Sequence, residues 1–505
     1  MNRFKVATLG VLLALAGCSP APTEPGGLVI VNARVIDGSG GPSRDVNVRV
    51  IDDRIETVGS FEPNENDEVF DAGQLVLAPG FIDSHSHHDS GLLEMTDALA
   101  AVNQGITTII GGQDGGHEYP LAEFFAGLEA TPATVNVASF AGHGTLRGQV
   151  MGEDYMRHAT AEEMAEMVAL LQAEMDAGAL GLSSGLEYDP GSFSNTDELV
   201  ELSRAAAAYG GHYISHIRSE DQYFWEAIDE VITIGREAEL PVQVTHIKLA
   251  MTRWWDQSER LISMLDAARE SGVDITADIY PYQAWLTGFT WLVTLFPDRD
   301  LDRREGAEYI LNGMLSPEGI LLPDYKPEPA YNGMTIAEIS AIRETDPETT
   351  LMDLLKADVD MGGESPMLGF AMAEPDIEAI MAWPFTVIGS DGALDGSHPR
   401  GYGAFTRYLG HYVRERKVLS LEEAVRRMTS QTAAQVGITG RGLIEEGGYA
   451  DLVLFNPESV RDRSTPDAPH RVSEGIDKVW VNGVVVFENG AVTDARPGRV
   501  VRRPD

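Results

Sequence analysis

Thiols are almost absent from this chain, which has one cysteine, Cys18, in 505 residues. If Cys18 is consumed at the N-terminus, the folded body has no thiolate to offer. Any metal site in it then relies on nitrogen and oxygen ligands. Positive charge is scarce as well. Lys and Arg number 37 against 79 Asp and Glu, a formal net charge of −42. That balance excludes nucleic acid as a partner and adhesion to anionic lipid, because both repel an acidic surface. It fits a strongly solvated surface. The apolar run near the N-terminus, residues 6–16, falls short of the ~20 residues that cross a bilayer.

That run follows Arg3 and Lys5 and leads into small residues, the pattern of a secretory signal. Leu15-Ala16-Gly17-Cys18 resembles a bacterial lipobox, in which the cysteine becomes the lipidated first residue of the mature protein. Ser19 follows it, which by the same resemblance implies the outer membrane, facing the periplasm. Residues 19–27 (SPAPTEPGG) read as a flexible tether. The membrane would be met only through the lipid on Cys18.

Beyond the tether, the length fits one large domain with an accessory, or two to three domains. Hydrophobic content is 43%, enough for a sizeable core. Residues 28–79 and 440–500 read as short alternating strands, for example GLVIVNARVID and DKVWVNGVVVFENGAV. These two flanks are expected to form a composite β-sandwich. Between them, residues 80–439 alternate apolar strands with amphipathic helices. The strand candidates are GFIDSH, ITTIIGG, VNVASFAGHG, ALGLSSG, HYISHIR, VQVTHIK, DITADIYPY and FTVIGSDG. A Thr160-x-x-Glu163 capping box opens a helix with Met164, Met167, Val168, Leu171 and Met175 on one face, spaced as core packing. Eight such units predict an α/β fold, a (β/α)8 TIM barrel. Residues 284–385 exceed what one loop and helix require and read as an inserted lid, or as a structural decoration.

Barrel enzymes place their chemistry where the strands end. In FIDSHSHHDS, residues 81–90, His85 and His87 alternate onto one face and His88 onto the other. Later strands end at Asp114, His143, Glu187 with Tyr188, His216, His246, Tyr280 with Tyr282, and Asp391. A polar group at every exit is not what core packing selects. Imidazoles and carboxylates gathered at one rim are ligands for a divalent metal, with zinc expected, one ion or two, and other divalent ions possible.

This order of motifs resembles the amidohydrolase superfamily. Within it, the chain looks like the N-acyl-D-amino-acid deacylase (D-aminoacylase) branch. The likeness rests on the His-x-His after PGFID and on GHGTLR (142–147), GLSSGLEYDPG (181–191), ISHIRSE (214–220), THIK (245–248), YPY (280–282), IGSDG (388–392) and HPRGYGAF (398–405). The resemblance implies that His85 and His87 hold one metal position and His216 and His246 the other. It makes Asp391 a metal ligand and the catalytic acid/base. Arg400 and Lys248 would hold a substrate carboxylate, with Tyr188 and Tyr280 nearby. Two positions depart from the branch. Asp114 stands where its members carry a bridging cysteine, so it is either a bridging ligand or a turn residue beside Gly115. Glu187 stands where relatives tend to carry an apolar side chain, and it would select a basic or polar substrate or reach the metal. Strand four has no lysine, which disfavours the carboxylated-lysine bridge of hydantoinases.

The implied reaction is hydrolysis of an N-acyl-D-amino acid or a dipeptide containing a D-residue. A divalent metal lowers the pKa of its bound water to about 7, and Asp391 moves the proton from water to the leaving amine. His143 or a tyrosine would polarise the carbonyl. The rivals are a cyclic amidase or dipeptidase of the same superfamily and a non-catalytic lipoprotein that binds metal or peptide.

Overall fold

Two segments far apart in the chain build one sheet. In the computed structural model, which describes Met1 and residues 26–504, nine strands pair across the two flanks. The order runs Ala491–Val492, Val484–Glu488, Ile476–Val481, Leu452–Phe455, Val76–Pro79, Leu28–Val35, Arg44–Ile51 and Arg54–Gly59, with Glu68–Asp71 also beside Leu28–Val35. The join is the antiparallel pair of Leu452–Phe455 with Val76–Pro79. Its tight turns are written locally. Asn482-Gly483 and Asn489-Gly490 have φ of 48° and 81°, and 54° and 76°. Positive φ at both positions is the type I′ two-residue hairpin turn, and Asn-Gly accepts it at least cost. Ile30, Val48, Val50, Leu77, Leu452, Leu454 and Trp480 pack together in the buried core of this sheet. Residues 2–18, including the expected signal and Cys18, and residues 19–25 of the expected tether lie outside the described residues. Among the described residues no helix is long and apolar enough to cross a membrane.

Each segment read as a strand in residues 80–439 contains one, and all pair in parallel. Phe81–Asp83, Ile106–Gly111 and Asn136–Ser139 neighbour one another in that order. Ala141–Gly142, Gly181–Gly185, His212–His216, Val242–Val244, Ile275–Ile279 and Thr386–Ile388 continue the sequence. Phe140 interrupts the third position, and its N–H turns to Gly111 O at 3.1 Å. The last exit meets the first: Ser86 bridges Gly392 in parallel, Asp391 N–H donates to His85 O at 2.8 Å, and His87 N–H donates to Gly392 O at 2.9 Å. The helix Ala161–Ala177 starts at the expected capping box and buries Met164, Met167, Leu171 and Met175.

The long segment after Ile275–Ile279 has structure of its own. Ala284–Gly288, Pro366–Phe370, Ile320–Leu322 and Met334–Thr335 form an antiparallel sheet. Helices Ile336–Arg343 and Pro347–Asp360 accompany it, each entered through a side-chain cap, Thr335 and Asp346.

One buried carboxylate locks the flank sheet to the parallel strands. Asp451 accepts hydrogen bonds from Arg441, from Asn136 Nδ2 at 3.1 Å and from Asn482 N–H at 2.7 Å. Removing it leaves the Arg441 guanidinium buried without its counter-charge, which typically costs about 3–5 kcal/mol. Asp451→Ala is expected to lower the midpoint of urea unfolding strongly, whereas Asp346→Ala, at an exposed helix start, is expected to cost only ~1 kcal/mol. Equal, small shifts for both would refute this assignment of the anchor.

Candidate metal centre and active site

The strand exits deliver ionisable side chains to one place, and several backbones there are strained to do it. Asp114, His246 and Asp391 have φ of 52°, 35° and 49°. Left-handed conformations at non-glycine residues cost about 1–3 kcal/mol each and persist where surrounding structure holds them. Gly115, φ 78°, follows Asp114 for a steric reason as well: a Cβ there would lie 2.7 Å from Gly185 N. The Gly-Gly-Gln-Asp-Gly turn thus brings Asp114 against the strand ending at Gly185.

Around Asp114 the groups converge as two overlapping clusters. His85, His87, Asp114 and Asp391 place one ligand atom each within 4.8 Å of one another, and so do Asp114, His216 and His246. Asp114 belongs to both. Its Oδ2 lies 3.6 Å from His85 Nε2 and 3.3 Å from His87 Nε2, and its Oδ1 lies 3.4 Å from His246 Nε2. Asp391 Oδ1 lies 3.6 Å from His85 Nε2 and 3.3 Å from His87 Nε2. His216 Nδ1 and His246 Nε2 face each other at 2.9 Å.

The residues present fit a divalent ion. Both ring nitrogens of His85 and the Oδ1 of Asp114 are buried without a hydrogen-bond partner, a state that native proteins seldom tolerate unless another group satisfies it. Burial alone would raise the carboxyl pKa values. The neighbouring charges outweigh it: His85 and His246 hold Asp114 well below the usual carboxylate range, and Arg400 and His85 do the same for Asp391. Burial opposes protonation of His87, yet its bonds to Asp114 and Asp391 lift its pKa to about 9. Anionic oxygens held together by imidazoles are a donor set that a borderline cation such as zinc satisfies.

Of the remaining expected residues, Glu187, Tyr188, Lys248, Tyr280 and Arg400 line the same cavity of about 710 Å³. Arg400 Nη1 holds Asp391 Oδ2 at 2.6 Å, and its guanidinium lies 4.6 Å from the Tyr280 ring centre. Lys248 Nζ donates to Glu220 Oε1 at 2.5 Å. Tyr188 stacks obliquely on His216, with centroids 4.5 Å apart. Trp285, Leu286, Trp291 and Pro366, from the long segment after strand seven, complete the wall.

His143 is a correction. It does not line the cavity. Its ring is buried with Nε2 at 2.8 Å from Glu198 Oε1, and Glu198 also accepts from Arg147. The buried charge group of Arg147 and Glu198 holds the imidazole away from the cavity. Glu187 is also not a free carboxylate aimed at a substrate side chain: Oε1 accepts from Glu220 N–H at 2.5 Å and Oε2 faces His216 Nε2 at 3.3 Å. His88 behaves as expected of the opposite face, its ring held by Ser86 Oγ and Gly401 O.

Two site residues were missed by sequence reasoning. Glu220, the last letter of ISHIRSE, sits 3.1 Å from His246 Nδ1. Asp278 lies 3.5 Å from His85 Nδ1 and accepts from His246 N–H at 2.8 Å. The available signal for Asp278 was a carboxylate inside an otherwise apolar strand, Ile275–Ile279. Glu220 lies four residues beyond its strand, where only chain folding brings it back.

If Asp114 supplies an oxygen to each cluster, Asp114→Ala is expected to lower the zinc content of the purified protein by about one ion or more while leaving its fold intact. Elemental analysis beside circular dichroism checks this. An unchanged zinc content would reduce Asp114 to a turn residue.

A model described as the amidohydrolase family matches residues 68–309 and 330–487. D-aminoacylase of Alcaligenes xylosoxydans xylosoxydans is 35% identical over 510 residues, covering 96% of this chain and 99% of the relative. N-acyl-D-glutamate deacylase of the same organism is 36% identical, covering 94% and 96%. The crystal structure of N-acyl-D-glutamate deacylase from Bordetella bronchiseptica, complexed with zinc and a phosphonate inhibitor, superposes with a TM-score of 0.83 at 35% identity, covering 95% of this chain and 100% of that one. Sequence and structure agree over nearly the whole length, and the chain belongs to the amidohydrolase family.

Proposed function

We propose that this protein removes the acyl group from N-acyl-D-amino acids in a metal-dependent hydrolysis. The observation that carries the reading is a set of buried donors on the cavity wall that have no partner: Tyr280 Oη, Arg400 Nε and Trp285 Nε1. Unsatisfied buried donors cost stability. A ligand rich in acceptors, such as an amino-acid carboxylate with an amide carbonyl, removes that cost.

His85, His87, Asp114, His216, His246 and Asp391 would hold the metal. When bound, zinc or another divalent ion supplies a water acidic enough to ionise near neutral pH and a Lewis acid for the carbonyl. Arg400 grips the substrate carboxylate, for which a guanidinium offers two parallel donors. A carboxylate there shares the guanidinium that otherwise serves Asp391 Oδ2 alone. Asp391 takes a proton from water at its carboxylate and returns it to the departing amine. Tyr280, whose pKa burial pushes well above its usual value, stays protonated and donates to the carbonyl oxygen. Lys248 and Tyr188 shape the wall beside His246 and His216.

The wall itself suggests the side chain. Asp89, Glu118, Asp221 and Glu364 join the site carboxylates around the cavity, against only Lys248 and Arg400. An acidic surplus remains even with two divalent ions, so a cationic D-side chain is favoured over an anionic one. The near-equal identity to the D-aminoacylase and to the N-acyl-D-glutamate deacylase leaves this choice to the wall.

Further parts of the reading rest on the same frame. The eight parallel strand positions, the third split into two pieces, with the last exit bonded to the first, support a (β/α)8 barrel spanning residues 80–439. The nine-stranded sheet of both flanks supports the composite β-sandwich. Residues 284–385 act as a lid over the mouth of the barrel, as their place on the cavity wall suggests. Leu15-Ala16-Gly17-Cys18 supports lipid anchoring at the outer membrane, facing the periplasm.

The test is hydrolysis of paired N-acetyl-D- and N-acetyl-L-amino acids by the zinc-loaded protein. Turnover of D-forms only is expected, with kcat/KM for N-acetyl-D-lysine and N-acetyl-D-arginine above that for N-acetyl-D-glutamate. Asp391→Asn is expected to lower kcat by about 10²–10⁴-fold. Turnover confined to L-forms or to cyclic amides sinks the proposal. In the same assay Arg400→Lys is expected to raise KM more than it lowers kcat, because a bidentate grip becomes a single point charge. An unchanged KM would remove Arg400 from the substrate.

A further inference from the structure

We infer that Glu187 is a positioning residue: it sets the tautomer of His216 and thereby aims one of that ring's nitrogens at the second metal position. The inference rests on the metal-centre reading above and concerns how this chain builds it.

A neutral imidazole offers one lone pair and one N–H. His216 has two competing surroundings. Its Nδ1 faces His246 Nε2 at 2.9 Å, on the side of Asp114. Its Nε2 faces Glu187 Oε2 at 3.3 Å. Side chains within reach allow either nitrogen to meet a cation, since Glu187, His216 and Glu220 also gather ligand atoms within 4.8 Å. Only the Nδ1 side shares Asp114, the carboxylate common to both main clusters, and there Asp114 Oδ1 and His246 Nε2 converge with it. Ligation through Nδ1 requires the proton on Nε2, and that N–H requires an acceptor. Glu187 is the carboxylate placed to accept it.

Its other oxygen makes the placement rigid. Glu187 Oε1 accepts from Glu220 N–H at 2.5 Å, and the Glu220 side chain then lies 3.1 Å from His246 Nδ1 and takes the Lys248 ammonium. One carboxylate therefore orients His216 directly and fixes the backbone that carries the acceptor beside His246. With its side chain only 11% exposed, Glu187 is shielded from water that would otherwise compete. Carboxylates that orient ligating histidines in this way are worth about 10–100-fold in metal affinity. The two bonds also explain why this side chain is not spare for recognising a substrate side chain.

A carboxamide has one acceptor oxygen where Glu187 uses two. Glu187→Gln must therefore release either Glu220 N–H or His216 Nε2–H, and Glu187→Ala releases both. Stepwise zinc binding by the full protein, measured by competition with a chromophoric chelator, reads the consequence without reference to turnover. The parent is expected to bind two ions. In Glu187→Gln the ion beside His216 and His246 is expected to loosen by about 10–100-fold, in Glu187→Ala by at least as much, and the affinity of the other ion is expected to be unaffected in both. Both variants should still take two ions at saturating zinc. Unchanged affinities overturn the inference, and so does loss of an ion at saturation, which would make Glu187 a ligand itself. A parent that binds no zinc would refute the metal-centre reading and this inference with it. Nitrogen-15 spectra of the zinc-loaded parent, labelled at histidine, give an arm that needs no folded Glu187 variant. A proton on His216 Nε2, identified by its loss in His216→Gln, is expected, and a proton on Nδ1 overturns the assignment.

Discussion

A carboxylate placed between two pairs of histidines sets the terms for the rest of this molecule. Asp114 reaches His85 and His87 with one oxygen and His246 with the other. It does so from a left-handed backbone in a glycine-rich turn. Negative charge in such a place is costly unless matched by positive charge and hydrogen bonds. The surrounding architecture supplies that match from separate strand exits, and no two adjacent strands alone would suffice. The parallel arrangement is valuable here because every strand ends at the same face, so residues hundreds of positions apart arrive together.

Asp114, which belongs to both clusters, also gives the site an anionic group without a thiol. The end of the second parallel strand carries Asp114 and no cysteine, so the side chain there offers oxygen in place of sulfur. An aspartate offers two hard oxygen donors where a thiolate offers one sulfur. Around it, acceptors form a second layer: Asp278 beside His85, Glu220 beside His246 and Glu187 beside His216. His85, His216 and His246 thus each have one nitrogen toward the cluster and the other toward a carboxylate behind it.

The ligand rim was legible because it is periodic. His85 and His87 lie two apart after a strand, and His216, His246 and Asp391 each follow an apolar run, so alternation and exit position sufficed to gather them. The layer behind them was not legible. Glu220 follows its strand by four residues, where nothing in the local pattern separates it from an ordinary surface acid, and Asp278, although it stands out as a carboxylate inside a strand, carries no local sign of which histidine it faces. His143 misled for the complementary reason. It occupies an exit position, yet a buried Arg147–Glu198 pair needed an imidazole more than the cavity did. From its position Glu187 is expected to select a basic or polar substrate or to reach the metal, and its two oxygens turn to His216 and Glu220.

By itself the sequence determined the elements. Period-two runs gave the strands, the Thr160 capping box and methionine face gave a helix, and Asn-Gly pairs gave the hairpin turns, because each depends on neighbours within a few residues. The residue types also determined that a metal site would be built of nitrogen and oxygen. The tertiary structure decided which oxygen faces which nitrogen. The pairing of the two flanks into one sheet, the place of residues 284–385 on the cavity wall and the choice of Glu187, Glu220 and Asp278 as neighbours of His216, His246 and His85 were settled there. These depend on contacts between segments tens to hundreds of residues apart, where competition for a buried counter-charge, and not local preference, assigns each side chain its role.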